Sequence, residues 1–195
     1  MKKVILFLVL LLTLSAVIGL AGCGGPTTPL LTYAVGDTGP AGGWIFYDKG
    51  SYSDGWRYLE AAPSDQSTGI QWYDGYYGVV TGATGTAIGT GQSNTTAIVT
   101  IQGAGSYAAQ LCNDLIVGGY SDWFFPSKDE LAAMRTNLAS TSEARLLYGF
   151  AGYYYYWSSS ESPANLAWFQ NFYNGNPYYP SFKSNSNRVR AVRAF

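Results

Sequence analysis

The last 43 residues, Tyr153–Phe195, constrain the fold of this chain more than any other segment. Twelve of its 32 aromatic residues lie between Tyr153 and Phe182, among many Asn and Ser residues and few aliphatic ones. No Asp or Glu follows Glu161, whereas four Lys or Arg residues do. This composition makes a poor hydrophobic core but a good contact surface, because Tyr and Trp give large contact area at low entropic cost while Ser and Asn form adaptable hydrogen bonds. The sequence therefore predicts binding rather than chemistry.

The N-terminus predicts the compartment. Two lysines follow Met1, and an almost uninterrupted apolar run over residues 4–20 leads into small residues and Cys23. A short apolar run in this place is typical of a secretory signal peptide rather than a membrane-spanning helix. The sequence LAGC that ends at Cys23 resembles the cleavage box of bacterial lipoproteins, in which the Cys becomes the first residue and carries the lipid. The alternative is a plain signal peptide in which Cys23 has no role.

We therefore divide the chain into a lipoprotein signal peptide (1–22), a lipidated tether (23–32) and one domain (33–195). A multi-acyl anchor on Cys23 holds a protein durably on a membrane. Gly24 rather than Asp follows Cys23, which predicts a lipid-anchored protein of the bacterial envelope at the outer membrane or cell surface. Removal of residues 1–22 takes two lysines and no acid, so the formal charge falls from −1 to −3. That charge excludes a generally basic nucleic-acid binder.

The content of Cys and His restricts the chemistry. Cys23 and Cys112 are the two cysteines, and the chain has no His. Cys112 lies in an i, i+3, i+4, i+7 apolar pattern, so we expect a buried helical residue rather than a reactive thiol. Zinc binding and Ser-His catalysis both lack their usual residues. The sequence therefore predicts a protein that is not an enzyme and has no cofactor.

Four acidic residues lie near aromatic motifs and are candidate ligands or catalysts: Asp122, Asp129, Glu130 and Glu161. Their spacing does not match a calcium loop, so no metal site is predicted. Glu130 is interpreted as a helix-capping residue and Asp122 as a turn residue. Any two acids can meet in space and hydrolyse a glycosidic bond, so a carboxylate-dependent hydrolase stays an alternative.

The predicted fold class is α+β, with two helices, short antiparallel strands and much irregular loop. Strands are predicted over residues 42–47 and 55–62, joined by a turn over 48–54, and over Arg188–Phe195. Residues 64–91 are rich in Gly and Thr and are predicted to form long loops. The aromatic segments between Tyr153 and the final strand are also predicted to be irregular.

Two helices are predicted. The first covers residues 106–115, with Ser106 as its N-cap. The second begins at a capping box in which Ser127 caps the helix and Glu130 reaches back to it. Its buried stripe is predicted to contain Leu131, Met134 and Leu138.

Six ordered blocks carry a resemblance to a known domain: GDTGPAGGWIFY (36–47), GWRYLEAAP (55–63), IGTGQSNT (88–95), SDWFFPSKDEL (121–131), YWSSSE (156–161) and VRAVR (189–193). Together they are similar to the Lcl C-terminal domain family, named for the C-terminal domain of a bacterial collagen-like adhesin. The likeness spans about residues 33–195. The collagen-like repeat is absent here, so the trimerisation and adhesion of that adhesin do not transfer directly.

Within that family the chain is further similar to the variable proteins of diversity-generating retroelements. The resemblance implies a C-type-lectin-like fold, related to the formylglycine-generating enzyme, with a diversified ligand-binding face near the C-terminus. The active-site cysteines of that enzyme are absent, as are the Glu-Pro-Asn and Gln-Pro-Asp tripeptides with which C-type lectins bind sugar through calcium. Diversification mutates adenines, so AAC codons change to residues such as Tyr, Ser, Phe, Leu, Pro and Ala but never to Lys, Glu, Gln, Trp or Met.

The resemblance implies ligand-binding positions that all belong to this reachable set: Ser162, Ala164, Asn165, Leu166, Phe169, Tyr173, Pro177, Tyr178, Tyr179, Pro180, Ser181, Phe182, Ser184 and Asn185. The frame between them holds residues outside the set: Trp157, Glu161, Trp168, Gln170 and Lys183. Tyr153–Tyr155 extend the predicted surface. The ligand is expected to be a surface protein or glycan. The alternative is a fixed-sequence envelope lipoprotein or adhesin with a structural or self-association role.

Overall fold

The computed structural model describes residues 31–75, 78–175 and 179–195, without the side chain of Tyr179. The predicted signal peptide, Cys23 and residues 24–30 of the tether lie outside these ranges, as do Pro177 and Tyr178. Thr32–Phe195 forms one compact unit. No helix in the described ranges is long and apolar enough to cross a bilayer.

The described residues form eight strands and four helices. The strands are β1 Trp44–Ser53, β2 Trp56–Ala61, β3 Ser67–Ile70, β4 Tyr155–Glu161, β5 Leu166–Asn171, β6 Tyr179–Phe182, β7 Asn187–Val189 and β8 Val192–Ala194. The helices are α1 Gly91–Gln102, α2 Ala108–Asn113, α3 Lys128–Leu138 and α4 Ser142–Leu147. One sheet has the order β1-β2-β8 and the other β3-β7-β4-β5-β6. All pairs are antiparallel except β4–β7, and this mixture confirms the α+β class.

The helices differ from the prediction in number and in one cap. The sequence predicts neither α1, whose buried face consists of Gly91, Asn94, Thr95 and Ile98 and therefore shows no apolar stripe, nor the six-residue α4. Ser106 is not an N-cap, because α2 begins at Ala108 with Tyr107 in the cap position and no side-chain cap bond. The ring of Tyr107 is fully buried, and its hydroxyl donates to the Gly103 carbonyl at 2.6 Å. Burial of this ring, rather than a serine cap, therefore fixes the start of α2.

The strands are more extensive than predicted. β1 continues to Ser53 through the predicted turn, and only Asp54 and Gly55, both with positive φ, separate it from β2. The predicted loop over residues 64–91 contains β3. The final segment forms two strands rather than one, because Arg190 turns into the interior between β7 and β8. The aromatic segment is likewise not irregular, since it forms β4, β5 and β6.

Helix α3 confirms the predicted capping box. The Ser127 Oγ accepts a hydrogen bond from the Glu130 backbone N–H at 3.3 Å, and the Glu130 carboxylate accepts one from the Ser127 N–H at 2.7 Å. The predicted stripe of Leu131, Met134 and Leu138 is fully buried. Local chemistry thus determines both the start of this helix and the face it buries.

Removing the cap is expected to destabilise the domain. We expect Ser127→Ala to lower the free energy of unfolding by about 1–2 kcal/mol, because the buried N-terminus of α3 loses its side-chain acceptor. The measurement is urea unfolding followed by circular dichroism. The matched control is Thr141→Ala, which removes the exposed cap of α4, a 3.1 Å bond from the Ala144 N–H. An effect of Ser127→Ala no larger than that of the control contradicts the prediction.

Two clusters of buried side chains form the core. The first gathers Trp72, Trp123 and Trp157, while the second includes Tyr156 and Phe172. Trp157, Tyr156 and Phe172 all come from the aromatic C-terminal segment and are fully buried. The expectation that this segment contributes little to a core is therefore wrong for these three rings. Tyr156 and Trp157 directly follow the exposed Tyr153–Tyr155 and so anchor these three tyrosines to the core.

Cys112 lies fully buried on α2, as predicted, and burial raises the pKa of its thiol far above the ordinary value. Since the thiolate is the reactive form, we expect no alkylation by iodoacetamide at about pH 8 while the domain is folded. Peptide mass spectrometry of the labelled full chain measures this, with a urea-unfolded sample as the control. Rapid labelling of Cys112 in the folded protein would contradict its placement in the core.

Candidate ligand-binding site

The predicted binding positions on β5 and β6 lie on both faces of the sheet. Trp157 pairs with Phe169 across β4 and β5, while Leu166 pairs with Phe182 across β5 and β6. Side chains alternate along a strand, so Phe169 shares one face with Trp157 and Ser181, whereas Leu166 and Phe182 point to the other. The predicted residues therefore do not form one continuous face.

They also separate along the strands. The loop 162–165 joins β4 to β5, and the turn 183–186 follows β6 at the same end, where the Lys183 N–H donates to the Asn165 carbonyl at 3.0 Å. Tyr173 lies beyond the opposite end of β5. The six residues of β5 span about 17 Å. One group of predicted positions thus surrounds the loop end: Ser162, Ala164, Asn165, Leu166, Phe182, Ser184 and Asn185.

The opposite end carries a group of rings that we call the tyrosine cluster: Tyr153, Tyr154, Tyr155, Phe169 and Tyr173. The rings of Tyr153 and Tyr173 stack at 4.0 Å with an interplanar angle of 23°. Tyr155 meets Phe169 edge to face at 4.9 Å. The four tyrosines are between 45% and 74% exposed. The cluster is a surface of large aromatic rings that already contact one another.

Two arginines order the tyrosine cluster. The Arg188 guanidinium lies 4.2 Å from the centre of the Tyr154 ring, and Arg188 also pairs with Asp65 at 2.8 Å. The Arg145 guanidinium lies 5.9 Å from the Tyr173 ring and donates to the Phe172 carbonyl at 3.4 Å. These contacts hold the rings before any ligand arrives, which reduces the entropic cost of binding.

Tyr153 adopts an uncommon backbone conformation. Its φ is 66°, in the left-handed region that non-glycine residues rarely occupy. Such a residue persists only where its surroundings stabilise it, and here the ring stacks on Tyr173. Interaction with the side chain of Tyr173 raises the pKa of Tyr153. The strained position brings this ring over Tyr173, which follows the end of β5 beside the start of β4.

A buried frame supports the site from below. Trp157 donates from its indole N–H to the Ile70 carbonyl at 3.0 Å, and Trp72 donates to the Ser158 carbonyl at 2.8 Å. Ser158, Ser159 and Ser160 are fully buried. The Ser160 hydroxyl, for example, donates to the Gly85 carbonyl at 2.6 Å. These serines connect β4 to neighbouring segments.

Glu161 and Lys183 form an ion pair in which both side chains are almost fully buried. The Glu161 carboxylate also accepts from the N–H groups of Thr81 at 3.0 Å and Gly82 at 3.1 Å. Burial lowers the pKa of Lys183, while Glu161 opposes that shift. The Lys183 ammonium donates in addition to the Ala164 carbonyl at 2.7 Å. The pair therefore fixes the loop end, and both oxygens of Glu161 already have donors.

The interpretation of Asp122 as a turn residue misses its main role. Asp122 forms an ion pair with Arg193. It accepts two hydrogen bonds from Arg193, both at 2.8 Å, which hold the pKa of its carboxyl below the ordinary range. Arg193 also reaches the fully buried Glu60 at 3.2 Å. The sequence holds no local signal for these pairs, since their partners are 71 and 133 residues apart. Among the described residues, no three potential metal ligands come together.

The loop end also carries a cleft that the sequence does not indicate. A cleft of about 390 Å³ lies there, between loop 162–165, residues 80–86 and the ring of Trp168. Two predicted binding residues, Ser162 and Ala164, line it. Trp168, expected to belong to the frame, contributes a half-buried ring to this surface. The sequence gives no reason to place Thr84 and Thr86 beside Trp168.

The model of one protein family, described as the Lcl C-terminal domain, matches residues 62–193. The match includes the tyrosine cluster, its frame and the Trp168 cleft, whereas the sequence block at 36–47 lies N-terminal to it. No curated protein matches the chain significantly.

Proposed function

We propose, given that this chain belongs to the Lcl C-terminal domain family, that it binds an external protein ligand through its tyrosine cluster without catalysing a reaction. The family indicates an adhesin-like role at the cell surface. The observation that carries the proposal is the exposure of four tyrosine rings on a buried, hydrogen-bonded frame. Tyr and Arg are enriched among the residues that dominate protein–protein binding energy.

The physical properties of the cluster support this proposal. Tyrosine loses little conformational entropy on binding, and these rings are already ordered by stacking and by Arg145 and Arg188. Each ring that a ligand buries contributes about 2 kcal/mol. Three such rings are enough to make the cluster the main source of affinity.

The experiment measures adhesion of bacteria that display the full chain to immobilised mucin, fibronectin and collagen. The variant Tyr153→Ala/Tyr154→Ala/Tyr173→Ala is expected to weaken binding at least about 100-fold. The control is Tyr52→Ala, which removes a tyrosine that is 68% exposed on the β1–β2 hairpin. The assignment of this surface is wrong if adhesion survives the triple substitution or if the triple variant no longer folds.

The proposal includes a lipid anchor on Cys23, which lies outside the described residues. It rests on the apolar N-terminal run and the LAGC sequence. We expect Cys23→Ser to release the protein from the membrane fraction, because the acyl chains are lost. Fractionation and mass spectrometry of the N-terminal peptide measure this. A variant that stays with the membrane and is processed normally argues for another anchor.

The proposal also includes diversification of the C-terminal positions by a retroelement. The burial of the side chains supports this part of the proposal. The predicted ligand-binding residues whose side chains the structure describes are half-buried or exposed, whereas Trp157, Glu161, Gln170 and Lys183 are buried. Trp168 is the half-buried exception. The test is the DNA downstream of the gene, where we expect a near-copy of the segment for Tyr153–Phe195 that differs at adenines. If no copy exists, the surface is fixed in sequence.

Self-association is a second candidate function. Leu146 and Leu147 on α4 are 86% and 65% exposed, and the neighbouring Arg145 contacts Tyr173. Two exposed leucines beside an aromatic surface are suited to a contact between copies. Sedimentation of the full chain in detergent distinguishes the two functions. An oligomer that the tyrosine variant dissociates favours self-association, whereas a monomer favours an external ligand.

A further inference from the structure

We propose that the Trp168 cleft is a separate binding site for a neutral saccharide. Its volume of about 390 Å³ lies in the range of small-ligand sites. It lies at the end of β5 away from the tyrosine cluster. The lining residues are Val80, Thr84, Thr86, Glu161, Ser162, Pro163, Ala164 and Trp168.

Trp168 provides a rigid aromatic platform. It lies inside β5, paired with Pro180 of β6, and its carbonyl accepts a hydrogen bond from the Ser158 hydroxyl at 2.8 Å. The Lys128 ammonium lies 4.7 Å from the ring centre and orients the indole. An indole face of this kind attracts the electropositive C–H groups of a pyranose ring. The cleft therefore has a surface for the apolar face of a sugar.

The hydroxyl groups of the cleft provide the polar half of the site. Thr84, Thr86 and Ser162 line the cleft, and all three are exposed or half-buried, so a ligand can reach their hydroxyls. A hydroxyl both donates and accepts, as a sugar hydroxyl does. Three accessible hydroxyl-bearing residues beside an indole therefore match an uncharged polyol with one apolar face.

The charge of the lining selects against ionic ligands. Glu161 is the one ionisable residue of the lining, and Lys183 neutralises it while Thr81 and Gly82 donate to it. A sulfated or ammonium-bearing ligand thus finds no unpaired opposite charge among the lining residues, and its desolvation opposes binding. The Lys128 ammonium beside the cleft already lies over the Trp168 ring. Val80, which is 63% exposed at the rim, adds apolar contact. These features favour a neutral sugar over a sulfated glycan or an amine.

The experiment uses NMR of the ¹⁵N-labelled full chain in detergent micelles. The chain has six tryptophans, so the indole signal of Trp168 is the one that disappears in Trp168→Phe. The probes are the methyl glycosides of glucose, galactose, mannose and N-acetylglucosamine, together with cellobiose. We expect at least one of them to shift the Trp168 signal saturably, with a dissociation constant on the order of millimolar.

Two variants test the two halves of the site. Trp168→Ala is expected to weaken binding at least about tenfold. Thr84→Val/Ser162→Ala keeps the Trp168 ring and is expected to weaken sugar binding several-fold. This double variant tests the site even if Trp168→Ala does not fold. The matched control is Trp56→Ala, since Trp56 also has a lysine ammonium over its ring, that of Lys49 at 4.0 Å. The control and the tyrosine-cluster variant are both expected to bind normally.

Three results overturn the proposal. One is the absence of a Trp168 shift with every probe up to about 50 mM, well above the affinity expected of a site of this size. Another is a stronger response to heparin than to the neutral sugars, which shows selection by charge. The third is equal loss of binding in Trp56→Ala and Trp168→Ala, which places the effect outside the cleft.

Discussion

Replacing Lys183 with Met is expected to lower the free energy of unfolding by about 3–5 kcal/mol, because it leaves the buried Glu161 carboxylate without its counter-charge. The Lys183 side chain is 1% exposed and Glu161 is 2% exposed, so water cannot replace the ammonium. The ammonium also donates to the carbonyls of Val79 and Ala164, at 2.9 and 2.7 Å. The loss therefore releases the loops on both sides of the Trp168 cleft.

Chemical unfolding of the purified full chain measures this effect. The control is Lys49→Met, whose salt bridge to the 87% exposed Asp54 at 3.6 Å is worth at most about 1 kcal/mol. The double variant Glu161→Gln/Lys183→Met removes the uncompensated charge and is expected to recover part of the stability. If Lys183→Met costs no more than Lys49→Met, the ion pair does not hold the loop end together.

Asp65→Ala is the second substitution with a large expected effect, again about 3–5 kcal/mol. The Asp65 carboxylate accepts from Arg190 at 2.7 Å, from Arg188 at 2.8 Å and from the Tyr156 hydroxyl at 2.9 Å. Arg190 is fully buried, so its guanidinium loses its only carboxylate partner among the described residues. Arg188 loses the contact that holds it over Tyr154. Both the core and the tyrosine cluster are affected.

Thermal unfolding and urea unfolding measure the cost of Asp65→Ala. The control is Asp48→Ala, which breaks the partly exposed pair with Arg57 at 2.8 Å and is expected to cost at most about 1 kcal/mol. Asp65→Asn retains the size of the side chain and is expected to be intermediate, because it still accepts hydrogen bonds. A loss below about 1 kcal/mol in Asp65→Ala contradicts the role assigned to this network.

The basic residues near the C-terminus form ion pairs, so an excess of positive charge in the sequence does not produce a basic surface. The sequence contains Lys183, Arg188, Arg190 and Arg193 with no acid after Glu161. In the structure each of these cations pairs with an acid that precedes it in the chain. The positive segment therefore fastens the C-terminal strands to the core instead of presenting a basic surface.

Two local signals in the sequence predict local structure correctly, whereas the cap predicted at Ser106 is wrong. The structure confirms the capping box predicted at Ser127 and Glu130. The sequence reveals this box because both partners lie within one turn of α3. The apolar spacing around Cys112 predicts its burial. The burial of β4 and β5 has no period of two, so the sequence carries no alternating pattern that would identify them as strands. Composition shows that this segment is aromatic but not which rings face outward.

Tertiary pairing explains what the sequence does not predict about the site. The predicted positions are adjacent in the chain, yet alternation along β5 and β6 divides them between two faces and two ends. The Trp168 cleft joins residues 80–86 to loop 162–165, and Glu161 makes that connection to Thr81 across 80 positions. The C-type-lectin-like comparison and the retroelement remain predictions.

Oxidative footprinting of the displayed protein tests the central claim most directly. Cells with the full chain are labelled by hydroxyl radicals, free and while bound to the coated surface that retains them. We expect Tyr153, Tyr154, Tyr155 and Tyr173 to lose reactivity on binding, because a ligand covers them. Tyr52, which is 68% exposed near the end of β1 and outside the tyrosine cluster, is expected to stay reactive. Unchanged labelling of the four cluster tyrosines, with protection elsewhere, would contradict the claim that this cluster is the binding surface.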